Sequence, residues 1–140
     1  MTHDQLERLQ QQVKSFFDNM QKFGDEHRFL ELEIQNSWKN LNQINHRLKE
    51  INPLLNAEQD TPTRWSLELE HQKLLHDQVV EKEKLVRMER ELPEVAQRLL
   101  DARNNYQESY QRLSREITFA QQKSIDSVKF TPLRVASRNR

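Results

Sequence analysis

A chain of 140 residues with one glycine, four prolines and no cysteine is long enough for one ordinary domain and poor in the residues that build tight turns. Basic and acidic residues balance at 22 each, and 34% of the chain is hydrophobic. This composition excludes disulfide and thiolate chemistry and argues against a phosphate-binding surface. It favours long helices with wet outer faces and a narrow apolar seam. No apolar run approaches the roughly 18 residues of a membrane span, and the N-terminus has no signal-peptide core. The expected setting is therefore cytoplasmic: intracellular and soluble, with no membrane contact. Charge is uneven along the chain: residues 1–60 carry a net −3, residues 61–123 balance, and residues 124–140 carry +3.

The first element is signalled by Leu6, Leu9, Val13, Phe16, Met20 and Phe23, a spacing of three and four that never slips. It continues through His27, Leu30, Ile34, Ser37, Leu41, Ile44, Leu48, Ile51 and Leu55, with only His27 and Ser37 not apolar. A sustained 3.5-residue period is the seam of a left-handed coiled coil. Thr2 and Gln5 fit a capping box at the start, and Pro53 lies near the stop, so helix 1 is expected over about 3–52. Gly24 interrupts the composition but not the phase, which favours one continuous helix at a cost of about 1 kcal/mol.

Residues 53–61 read as the turn, with Pro53, Asn56, Asp60 and Pro62 supplying turn chemistry, and Thr61–Pro62 reads as N-cap and first helical residue. Helix 2 is expected over about 62–127. Its seam opens weakly, as Leu67, His71, Leu74, Gln78 and Glu81, while Leu69, Leu75, Val79 and Val80 widen the apolar face. From Leu85 the heptads sharpen through Met88, Leu92, Val95, Leu99, Ala102 and Tyr106. A further four-residue step to Tyr110 reads as a stutter. Pro93 sits inside this register without shifting it and reads as a kink. Residues 128–140 lose the helical period and read as a flexible basic tail.

The fold class expected is all-α: a long antiparallel helical hairpin, or coiled coil, occupying residues 1–127. The alternative is a compact three- or four-helix bundle, broken at Gly24 and Pro93. Folding the arms about residues 58–59 sets residue i against roughly residue 117 − i. Helix 1 is then exhausted before Leu113, so the end of helix 2 should overhang and bind something.

Chemistry is sparse. Glu68 and His71 have the E-x-x-H spacing of di-iron bundles, but no second such pair exists, and a half-wet helical histidine is the simpler reading. One glycine cannot build a P-loop or a nucleophile elbow. Paired carboxylates read as solvated helix faces. The chain is expected to be no enzyme, to hold no cofactor or metal, and to take no small-molecule substrate. His27 and Ser37 read as tolerated interruptions of the seam rather than register selectors.

What remains points to protein partners. Phe17 and Trp38 share one flank of helix 1 and are candidate anchors, since aromatic residues dominate interface energetics. Leu113, Ile117 and Phe119 lie on the expected overhang. In the tail, Phe130, Leu133 and Arg134 form a candidate linear motif able to add as a strand or dock in a groove. The expected function is a coiled-coil adaptor, scaffold or structural subunit of a larger assembly, a homo- or hetero-oligomer. In architecture and length it resembles flagellar and type III secretion stalk proteins, which implies a stalk or export-chaperone hairpin as an alternative. A nucleic-acid-associated helper using the basic tail ranks lower.

Overall fold

The computed structural model describes residues 2–57 and 60–129, with side chains through 123. Two helices account for almost all of them: α1 over His3–Asn56 and α2 over Thr61–Lys129. No strand occurs among the described residues. The fold is the antiparallel helical hairpin. It divides into a terminal unit, Met1–Phe23 with Leu99–Arg140, and a loop unit, Gly24–Arg98.

The capping box forms as the sequence implies. The Thr2 amide donates to Gln5 Oε1 at 2.9 Å, and the Gln5 amide donates to Thr2 Oγ1 at 3.2 Å, satisfying two donors that no helical carbonyl reaches. Gly24 has no positive φ and lies within α1. Pro93 lies within α2. Neither reverses the chain, so the bundle broken at those residues is not adopted.

α1 runs four residues past the expected stop, with Pro53 inside its last turn. A proline there removes one donor, toward the carbonyl four residues back. Half-buried Leu55 continues the seam, and the Ala57 amide closes the turn on the Pro53 carbonyl at 3.0 Å. The cap of α2 is Asp60 rather than Thr61: the Thr63 amide donates to Asp60 Oδ2 at 3.3 Å, and the Arg64 amide donates to the Asp60 carbonyl at 3.0 Å. Hydrogen bonding from Thr63, its side chain first and its backbone amide second, holds the Asp60 carboxyl below its usual range. A carboxylate suits the positive helix end better than a hydroxyl does.

The heptad seam is the buried face in both units. In the loop unit Leu41, Leu48, Ile51, Leu85, Met88 and Val95 are buried, and in the terminal unit Leu9 and Ala102 are. The early seam of α2 is kept despite its polarity: Leu67, His71, Leu74, Gln78 and Glu81 are half-buried, while Leu69, Leu75, Val79 and Val80 stay exposed. The stutter is absent. Ser109 is buried and Tyr110 exposed, so the three–four alternation passes from Tyr106 through Ser109 to Leu113. The small Ser109 side chain returns its hydroxyl to the Tyr106 carbonyl at 2.9 Å and leaves no unpaired donor in the seam.

In the terminal unit side-chain contacts fall later on α2 than a fold about residues 58–59 implies, whereas Arg47–Glu70 in the loop unit falls at that register. Phe17 meets Tyr106, and Gln5 and Arg8 line one cleft with Arg112 and Glu116. Helical side chains lean toward their own N-terminus, so on antiparallel helices tips meet about a turn beyond the backbone register. Leu113 and Ile117 are consequently half-buried rather than free.

Candidate protein-interaction surface

Within the loop unit, charge pairs link the two helices. Arg47 grips Glu70 with Nε at 2.6 Å and an Nη at 2.9 Å, a bidentate fork, and Arg98 lies 4.0 Å from Glu26. Both Arg47 and Glu70 are about 40% exposed, so water screens the pair. The hydrogen bonds from Arg47 hold the Glu70 carboxyl below its ordinary range, and the Arg47 guanidinium is raised by the same contact.

A depressed carboxylate stabilises the fold above its ordinary pKa, and that contribution is lost as pH falls through the depressed value. Carboxyl-carbon NMR should therefore find Glu70 titrating below the other exposed glutamates. In an Arg47→Leu chain it should return to the common range, and the acid limb of the stability profile should lose its Glu70 component. No change in the Glu70 titration would show that the fork is not populated in solution.

Aromatic residues beside the seam are partly exposed in each unit. Phe17, 39% exposed, stacks obliquely on Tyr106 with ring centroids 5.4 Å apart, and Tyr110 follows Tyr106 at 6.0 Å. Phe17 is thus part of an intramolecular aromatic cluster and still offers an edge to solvent. Tyr106 and Tyr110 were not candidate interface residues; their only signal was a place in the expected seam of helix 2. In the loop unit Trp38 is 45% exposed, beside a shallow hollow bordered by Gln35, Asn42 and His46. Phe119, in α2, is 65% exposed. Phe130, Leu133 and Arg134, with the rest of 130–140, lie outside the described residues, and residues 128 and 129 belong to α2.

A further apolar row lies on the outside of α2, where Trp65, Val79 and Val86 recur at heptad spacing and Leu69 and Leu75 lie beside them. All five are exposed, Trp65 by 64%. Periodicity had marked Leu69, Leu75, Val79 and Val80 as widening the face; the structure leaves all four exposed, with Val80 on a cleft that it shares with Asn40, Gln43 and Ile44 of α1.

The seam also contains a polar layer. Ser37, 1% exposed, donates through Oγ to Glu81 Oε2 at 2.5 Å, and Gln78 Nε2 donates to Asn45 Oδ1 at 2.7 Å. The Ser37 break in α1 therefore meets the Glu81 break in α2 across the hairpin, whereas His27 lies 3.0 Å from Glu31 on its own helix. Sliding α2 by one heptad would set Ser37 against Leu74 or Met88 and leave Glu81 against hydrocarbon, so the pair fixes register. A double-mutant cycle should read this. Ser37→Leu alone should cost about 1–2 kcal/mol by stranding the Glu81 carboxylate, and the pair Ser37→Leu with Glu81→Leu should recover the loss. Additive effects of the two changes would remove the register role.

Among the described residues, no group of three or more histidine, aspartate and glutamate side chains could hold a metal. Glu68 instead accepts from Arg64 Nε at 3.2 Å, and His71 occupies the seam. Among the described residues, no helix is long and apolar enough to cross a membrane. No protein-family model matches the sequence, and neither a curated protein nor a solved structure matches the chain.

Proposed function

We propose that this chain is a non-catalytic adaptor or structural subunit of a cytoplasmic protein assembly, in which a register-fixed helical hairpin presents side chains to protein partners. One observation carries the reading: large apolar side chains, Trp38 and Phe119 among them, remain exposed outside a seam that already has its own core. Exposed aromatic residues on a rigid helix suit recognition, because little side-chain entropy is lost when they are covered. The polar layer supports the reading too, since a fixed register keeps the outer residues in a fixed array.

The test is a photoreactive amino acid placed at Trp38 or at Phe119 in the full chain inside cells. Discrete crosslinked species containing a second protein, identified by mass spectrometry and lost when the neighbouring surface is made acidic, are expected. Diffuse background at both positions would overturn the proposal.

A further inference from the structure

The outer row of α2 has a pattern that its hairpin role does not require. Trp65 and Val86 mark its ends, and Leu75 lies near its centre, with an acidic residue, Glu68, on one side and a basic one, Lys82, on the other at equal spacing. All are exposed and belong to the loop unit. Turned end over end about Leu75, the row complements itself. An axis at Leu75 sets residue i against 150 − i of a second copy, so Glu68 meets Lys82 and Leu75 meets Leu75 directly, while Trp65 and Val86, and Gln72 and Val79, come within one residue of each other. A two-fold axis brings residue i to j and j to i, so each favourable match occurs twice.

We propose that the outer face of α2 between Trp65 and Val86 is an isologous interface for a second copy of this chain, antiparallel and centred on Leu75. Charge complementarity selects this occupant. A parallel pairing of the same row would set Glu68 on Glu68 and Lys82 on Lys82, whereas the antiparallel one forms two Glu68–Lys82 pairs. Glu68 already accepts from Arg64 through Oε1, which leaves its other oxygen for the lysine. The row spans roughly 30 Å at 1.5 Å per residue. Its interface is on the order of 1,000 Å², near the lower bound for specific association. This inference deepens the interaction role proposed above, and the two fail separately. The photocrosslinkers report on other proteins, whereas the experiment below contains this chain alone.

The full chain is examined by sedimentation across micromolar to millimolar concentration, with helicity checked by circular dichroism. A monomer–dimer equilibrium is expected. Glu68→Lys or Lys82→Glu alone should weaken it about tenfold, because two attractions become two repulsions, and the double swap should restore it to within about threefold. The chain has no cysteine, so Leu75→Cys introduces a single thiol. It should oxidise rapidly to a covalent dimer, while Arg87→Cys, on another exposed face of α2, should not. Three results would each overturn the proposal: a monomer at every concentration, a dimer indifferent to the swaps and not rescued by combining them, or equal oxidation at both cysteine positions.

Discussion

Ile51→Ala is expected to destabilise the hairpin by about 2–4 kcal/mol in denaturant unfolding followed by far-ultraviolet circular dichroism. Ile51 is 0% exposed, one of the few side chains that this two-helix seam encloses completely. Truncation removes three heavy atoms from a site next to the connection, where α1 and α2 are held together and can collapse little. The loss is a large share of the 5–15 kcal/mol typical of a folded domain. Leu32→Ala is the matched control. Leu32 is exposed on the outside of α1, and alanine is the better helix former, so its effect should stay within about 0.5 kcal/mol of zero. Equal losses at both positions would mean that the buried face is not the one the heptads mark.

The seam was legible because its signal is repeated: every apolar residue from Leu6 to Leu55 at three–four spacing is buried or half-buried. The capping box was legible because it is local, two side chains three residues apart. Pairings across the hairpin were not. Ser37 and Glu81 were each visible as a flaw in its own helix, and a fold about residues 58–59 sets Ser37 within one residue of Glu81, but a hydrogen bond between them depends on how the two side chains turn. Ser109 was passed over for Tyr110, one residue on; the structure buries the small hydroxyl residue, whose donor is met by the Tyr106 carbonyl. The aromatic residues beside the seam were half legible: Phe17 and Trp38 stood out as aromatics, while Tyr106 and Tyr110 gained meaning only once opposite Phe17.

Pro93→Ala should stabilise the chain by about 2 kcal/mol and raise its melting temperature by several degrees. A proline inside a helix is about 3 kcal/mol less favourable than alanine, because its ring crowds the carbonyl one turn back and leaves that group without a donor. Here the carbonyl is that of Glu89, on an exposed stretch of α2 where water can reach it, so part of the penalty is already relieved. Alanine also returns freedom to the unfolded chain, which offsets a further 0.4–1 kcal/mol, roughly. The sign of the change is diagnostic. At the first position of a separate helix, proline is well tolerated, and alanine would bring no gain or a small loss. A clear rise therefore requires that α2 run unbroken through residue 93 in solution, as the packing of Met88 and Val95 on either side of it implies. Pro93→Ala also separates stability from use: a chain that is more stable and still dimerises, but captures less of its crosslinked partner, would assign the proline to recognition.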